Sequence, residues 1–264
     1  MMDKSMLKLA VNSVSVRYHN RLVLDQVSCH VGIGELVTVI GPNGAGKSTL
    51  LHALSDDSPR SQSVLGNRPL SAYSALERAQ KIAVLTQQHQ LPFAFTVREL
   101  VAMGRYPFAT GQALDEQFVT HALVATDMLA LQHSDYTQLS GGEQQRAQLA
   151  RALAQVWPEG SHQEGRFLLL DEPTTGLDLH HQTTILDYLK QLTTNGVGIV
   201  MVTHDINLAS QYADRIVILN HGAVHAQGAP QELINAATIT PVFGQQLAFV
   251  KANHVGHFIV PLKG

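Results

Sequence analysis

Residues Gly41 to Ser48 read GPNGAGKS, and the flanks of this octet decide how it is to be understood. Upstream, Leu36 to Ile40 (LVTVI) is a short, β-branched, apolar run that follows the Gly32 to Gly34 turn, as a buried strand does. Downstream, Ser48 to Leu54 (STLLHAL) takes up helical spacing. Strand, glycine-rich loop and helix in that order satisfy G-x-x-x-x-G-K-[ST], a loop that binds phosphate. Glycine lets successive backbone N–H groups turn inward around phosphate oxygens, and the helix adds its positive N-terminal end. Gly41, Pro42, Asn43, Gly44, Ala45, Gly46, Lys47, Ser48 and Thr49 are therefore the expected nucleotide cradle. Lys47 is expected to reach the β and γ phosphates of ATP and Ser48 to ligate Mg²⁺. A ligand-free turn would need neither lysine nor serine at these positions.

Further along, Phe167 to Glu172 (FLLLDE) places two acids just past a buried apolar run, at the strand end where open α/β sheets bind ligands. Asp171 is expected to hold Mg²⁺ directly or through water, and Glu172 to polarise the water that attacks the γ-phosphate. A plain strand-ending turn before Pro173 explains the acids less well once the phosphate loop is admitted.

The rest of the chain fits an α/β core. LKLAVNSVSVRY and RLVLDQVSCHV alternate like antiparallel strands. From about Phe95 to Trp157 the apolar residues recur three and four apart, in VRELVAMGRY, DEQFVTHALVATDML and EQQRAQLARALAQVW, and a helical subdomain is expected there. Pro158 to Arg166 (PEGSHQEGR) reads as a loop. FLLLD and VGIVMVTH read as buried parallel strands joined by the crossover helix TTILDYLKQLTTN, and RIVILNHGAVHAQG as a hairpin turning at Asn220 to Gly222.

Composition narrows the function. The chain has 264 residues, is 45% hydrophobic and carries a formal charge of −3, so it can bury a full core and has no overall basic footprint for nucleic acid. The single Cys29 leaves no intrachain disulfide framework and reads as a small buried apolar residue. Met1 to Lys8 lacks the apolar core of a secretory signal, and no stretch approaches the length of a membrane-spanning helix. The fourteen histidines are scattered, and His180 and His181 do not share a helix face, so no metal site is expected of them.

Leu139 to Arg146 reads LSGGEQQR, immediately ahead of the helical AQLARALAQ. A serine and paired glycines at a helix start make a second anion cradle. With the two sites above, the whole octet resembles the signature of the ATP-binding cassette (ABC) family. The resemblance runs from Tyr18 to about Gly228. It implies a P-loop NTPase (RecA-like) α/β core with an N-terminal antiparallel β subdomain and an inserted α-helical subdomain. The core is expected over residues 1–90 and 161–264 and the insert over 91–160.

The same resemblance assigns further residues. Tyr18 matches the aromatic that stacks on adenine, although an ordinary strand aromatic is the alternative. Gln87, or its neighbour Gln88, matches the glutamine that joins the core to the helical subdomain and senses Mg²⁺ and water. Ser140, Gly141, Gly142 and Glu143 grip the γ-phosphate held by an opposite subunit. Thr174 to Asp178 (TTGLD) matches the loop that crosses the dimer, and His204 the switch histidine that acts with Glu172 on the attacking water. Both halves of the site occur once, so the resemblance implies a homodimer with ATP sandwiched between two copies.

In this family the usual load is a membrane permease dimer, with a periplasmic binding protein in importers. TVRELVAMGRYPF, GAPQEL and PVFG resemble ATPases that drive import of iron chelates, haem and vitamin B12, and VWPEGSHQEGR resembles the haem-import members among them. The implied place is the cytoplasmic face of a bacterial inner membrane, with hemin as cargo and a ferric siderophore or cobalamin as alternatives. An exporter ATPase, or a soluble ABC protein of translation or DNA repair, remains a different class of reading.

Overall fold

The computed structural model describes residues 7–56, 62–86, 94–157, 165–244, 247–252 and 256–261. The chain begins with β1 (Lys8–Tyr18), β2 (Arg21–Gly32), β3 (Leu36–Ile40), α1 (Lys47–Ser55), β4 (Ser63–Leu65), β5 (Arg68–Pro69), α2 (Ala75–Lys81) and β6 (Ile82–Leu85). Then come α3 (Val97–Ala102), α4 (Gln112–Ala125), α5 (Gly141–Val156), β7 (Arg166–Asp171), α6 (Leu179–Thr194) and β8 (Val197–Val202). It continues with α7 (Ile206–Tyr212), β9 (Arg215–Asn220), β10 (Ala223–Gly228), α8 (Pro230–Leu233), α9 (Ala236–Phe243), β11 (Leu247–Ala252) and β12 (Gly256–Pro261). These elements pack as two units, Met1–Ala72 with Ile199–Gly264, and Tyr73–Gly198.

In the first unit an antiparallel sheet runs β2-β1-β4-β5. Leu9, Val11, Val14, Leu24, Val27, Cys29 and Val31 are buried on its covered face, with polar residues interleaved, as the alternating sequence requires. Burial pushes the Cys29 thiol up to about 11, which leaves it inert at neutral pH. A second sheet in this unit places β3 between β9 and β8, parallel to both, with β10 antiparallel at the edge. All five residues of β3 are buried, the continuous apolar pattern of a parallel strand covered on both faces. The β9–β10 hairpin turns at His221 and Gly222, both at positive φ (48° and 80°), the backbone of a type I′ turn. Ile40, Ala209, Ile216, Ile218, Leu233 and Ile239 form a core cluster beneath it. Each large aliphatic there contributes roughly 1.5–3 kcal/mol by leaving water.

In the second unit β6 and β7 pair in parallel from Ile82↔Phe167 to Leu85↔Leu170. Three of its helices start with a reciprocal capping box: Ser74 with Glu77, Thr96 with Glu99, and Ser140 with Glu143. Two helices are shorter than the sequence spacing suggests. The α-helical part of VRELVAMGRY stops at Ala102 and tightens into a 3₁₀ turn over Met103–Arg105. There a Cβ on Gly104 would meet the Arg151 carbonyl at 2.3 Å. Helix α4 stops at Ala125 because Asp127 takes a left-handed conformation (φ 53°). The Asp127 N–H donates to the Val124 carbonyl at 3.1 Å and the Met128 N–H to the Leu123 carbonyl at 2.8 Å, the pair of bonds that closes a helix C-terminus.

Candidate nucleotide site

The phosphate loop lies in the first unit. Gly41 is packed so closely that a Cβ there would fall 2.2 Å from the Leu219 carbonyl oxygen, and Gly46 (φ 103°) would meet Leu24 at 2.6 Å. Only glycine lets the backbone through at either point. The loop is tied to the β9–β10 turn by the Gly222 N–H, which donates to the Ala45 carbonyl at 3.2 Å. Lys47 is only 7% exposed, and its ammonium folds over the loop, donating to the carbonyls of Gly41 (2.9 Å) and Pro42 (3.1 Å). Gly46 caps α1 with no side-chain hydrogen bond, which leaves the first turn without a capping side chain where an anion would sit. Asn43, Gly44 and Ser48 are exposed, Pro42 and Thr49 half-buried and Ala45 buried.

Two other expected residues share this unit. Tyr18 is 52% exposed at the end of β1, opposite Arg21 on β2. A Cβ built on Gly44 would lie 3.9 Å from Arg21 Nη2, so this hairpin reaches the phosphate loop. No sequence motif marks Arg21. His204 is exposed two residues beyond β8, and the parallel β3–β8 pairing (Val39↔Val202) puts it at the same carboxyl end as the loop. The backbone is tied down on both sides of it. The Thr203 N–H donates to the Val39 carbonyl at 3.2 Å, and Asp205 caps α7 through the N–H groups of Asn207 and Leu208.

The acidic and signature residues lie in the second unit. Asp171 ends β7 and is 5% exposed. Glu172 follows in a left-handed conformation (φ 50°), a costly backbone for a residue with a long side chain. The Thr175 hydroxyl donates to Glu172 Oε2 at 2.9 Å. Thr174 is buried, and Asp178 caps α6 by accepting the His181 N–H at 2.9 Å. That backbone bond, with the His181 imidazole, holds the Asp178 carboxyl below the usual carboxylate range.

Ser140 caps α5. Its N–H and hydroxyl both donate to Glu143 Oε2, at 2.8 and 2.6 Å. The hydroxyl bond first, then the backbone bond, keeps the Glu143 carboxyl below its ordinary range. Nothing crowds Gly141, whereas a Cβ on Gly142 would stand 3.1 Å from the Gly176 carbonyl. The signature helix therefore touches the TTGLD loop directly, and Gln145 Nε2 adds a 3.1 Å bond to the Glu172 carbonyl. Gln87, Gln88 and residues 158–164 of the VWPEGSHQEGR insert lie outside the described residues.

A family model described as ABC transporter matches residues 24–175. The chain belongs to the ABC transporter family. Among curated ABC proteins it is 41% identical over 254 residues to the hemin import ATP-binding protein HmuV of Pseudomonas fluorescens, covering 96% of this chain and 98% of that one. It is 43% identical over 236 residues to the protein of the same name from Hahella chejuensis, covering 88% and 90%. Among solved structures, a dimeric bacterial ABC transporter cassette superposes with a TM-score of 0.73 at 27% identity, covering 84% of this chain and 98% of that one. The ATP-binding subunit of an ABC transporter gives 0.74 at 26%, covering 85% and 91%. The P-loop α/β fold expected from the sequence is thus that of the ABC ATPases.

Proposed function

We propose that this chain is the ATP-hydrolysing subunit of an ABC importer that energises hemin uptake across a bacterial inner membrane. The observation that carries the reading is the match, over nearly the whole length of both chains, to hemin import ATP-binding proteins. The active form in this proposal is a homodimer with ATP held between two copies. Its partners are an integral membrane permease dimer and a periplasmic substrate-binding protein, and it works as a peripheral protein on the cytoplasmic face. Among the described residues no helix is long and apolar enough to cross a membrane, so the spanning part is assigned to the permease.

The roles follow from residue chemistry. The loop from Gly41 to Thr49, through its backbone N–H groups at every residue but Pro42, and the Lys47 ammonium hold the β and γ phosphates, and Tyr18 stacks on the adenine. The exposed Ser48 hydroxyl and the acceptor-only carboxylate of Asp171 are oxygen donors suited to a hard cation, so the residues present fit Mg²⁺, with Gln87 as a further ligand. When bound, Mg²⁺ neutralises charge on the transferred phosphoryl group. Glu172 takes a proton from the attacking water, and His204 donates to the γ-phosphate and fixes that water. Ser140, Gly141, Gly142 and Glu143 serve the γ-phosphate of the opposite copy, and Asp178 helps orient that copy's site. Closure on ATP and release after hydrolysis drive the permease, which docks in this proposal around Leu91 to Phe108, the stretch that carries α3.

The test is ATPase activity and uptake by the chain reconstituted with its permease and binding protein, with hemin, a ferric siderophore or cobalamin supplied in turn. Stimulation and uptake with hemin alone support the cargo. A response to another ligand overturns it while leaving the ATPase in place.

A further inference from the structure

Asp178, His181, Asp127 and Arg146 in the second unit form a continuous line of contacts, of which only Asp178 has been given a part in the nucleotide site. Asp178, at the start of α6, takes the His181 N–H at Oδ1, and its two carboxylate oxygens both lie 2.9 Å from His181 Nδ1. The other ring nitrogen, Nε2, lies 3.2 Å from Asp127 Oδ2. Asp127 Oδ2 also accepts from Nη1 of the buried Arg146 at 3.3 Å, and Arg146 is the last residue of the signature octet. His180, the remaining titratable neighbour, stands edge-on to the His181 ring with centroids 5.6 Å apart. The His181 side chain is 23% exposed, so the ring is enclosed by these groups although both acids are mostly open to water.

Asp127 is held in place by backbone. It occupies the left-handed position that ends α4, fixed by the bonds from its own N–H and from Met128, so its carboxylate has a defined origin. The loop from Glu172 to Asp178 is then attached to the signature helix at both ends. Gln145 holds the Glu172 carbonyl at one end, and the line Arg146, Asp127, His181, Asp178 holds the other.

We propose that His181 is a positioning residue for ATP hydrolysis, bridging Asp178 to Asp127 so that the TTGLD loop and the signature helix move as one piece. This rests on the ATPase reading above, in which loop and helix both serve the opposite copy's nucleotide. Residues that place such groups control turnover more than affinity, because the contacts they align matter most in the transition state. The bridge has a chemical signature. A ring nitrogen can only donate to a carboxylate oxygen, and an amide oxygen in the same place accepts that same bond.

The decisive comparison is Asp127→Gly against Asp127→Asn. Glycine and asparagine both tolerate the left-handed backbone, so neither adds the strain that alanine would. Asp127→Asn keeps the bridge, since its amide oxygen in the place of Oδ2 still accepts from both His181 Nε2 and Arg146 Nη1, whereas Asp127→Gly deletes it. The expected result is that His181→Ala and Asp127→Gly each lower kcat for ATP about three- to ten-fold with KM within about two-fold. The double variant is no worse than either single one, and Asp127→Asn retains the wild-type rate. Thermal unfolding of each variant identifies any that simply fail to fold, and for those His181→Gln, which keeps one of the two contacts, gives the intermediate rate. Additive losses, or Asp127→Gly at full rate, overturn the bridge. A wild-type chain without ATPase activity would instead overturn the reading beneath it.

Discussion

The Gln145 side-chain amide donates to the Glu172 carbonyl oxygen at 3.1 Å, joining the first turns of α5 to the residue that follows β7. Glu172 needs such support, since its left-handed backbone costs on the order of 1–3 kcal/mol and persists only where neighbours over-determine it. Thr175 supplies the second hold, through its N–H to the Glu172 carbonyl and its hydroxyl to the carboxylate. Gln145→Ala is expected to lower kcat for ATP about three- to ten-fold, with KM nearly unchanged, because the proposed general base loses its fixed origin while the phosphate loop is untouched. Steady-state kinetics decide this, and an unchanged kcat removes Gln145 from the account.

Glu172→Gln is nearly isosteric and leaves the Thr175 and Gln145 contacts to the backbone carbonyl available. It removes the carboxylate proposed to accept the water's proton and leaves the proposed phosphate contacts. The variant is expected to bind ATP, turn it over at least about 100-fold more slowly and accumulate as a closed dimer. Gel filtration with ATP is the check, and a purely monomeric profile would contradict the role given to Glu172.

Lys47 has two jobs, and its substitution separates them from those of Glu172. Its ammonium braces the Gly41 and Pro42 carbonyls in the loop, and the proposed function makes it the fixed cation for the phosphates. Lys47→Ala is expected to weaken ATP binding itself, by about ten-fold or more, whereas Glu172→Gln leaves affinity near wild type. Titration with a fluorescent ATP analogue distinguishes them. Equal affinity in wild type and Lys47→Ala would sink the assignment of the phosphate site.

Much of this was legible in the sequence because local chemistry imposed it. Gly41 to Ser48 must combine tight backbone turns with a lysine, and LVTVI and FLLLD must be apolar throughout to sit between parallel neighbours, so both leave unambiguous strings. The role of His181 was not legible. Sequence spacing puts His180 and His181 on different helix faces, yet their rings meet edge-on at 5.6 Å, and what matters is that His181 stands three residues after a capping aspartate and faces a carboxylate 54 positions earlier. The first relation was readable as a helix start, the second only from tertiary packing. Asp127 was hidden for a related reason: the apolar period of α4 runs on through Met128, and nothing local announces the left-handed residue that ends the helix. Arg21 likewise reaches Gly44 only because a hairpin folds back.

The same unit as His181 carries a buried charge whose pH dependence can be worked out. Arg105 is 3% exposed, with its guanidinium 4.2 and 4.5 Å from the ring centres of Phe108 and Phe118. It donates to Asp115 Oδ1 at 2.9 Å and to the Ala154 carbonyl at 2.9 Å. At Asp115, burial pushes the carboxyl up, but hydrogen bonds from Thr110 and Arg105 and the charge of Arg105 together outweigh it and leave the carboxyl below its ordinary value. A carboxylate lowered in the folded state contributes stability that is fully present above the unfolded value of about 3.9 and is lost as pH falls through the folded one. Asp115→Asn is therefore expected to destabilise the chain at pH 7 and to narrow its gap to wild type between about pH 4 and pH 2. The cost at neutral pH is set at about 1–3 kcal/mol, below the roughly 3–5 typical of fully buried pairs, because the Asp115 side chain keeps 26% of its exposure. For a chain of this size that lowers Tm by about 2–10 °C. Thermal unfolding of both proteins across that pH range measures it, and a gap that stays constant down to about pH 2 would show that Asp115 is not the group that titrates against Arg105.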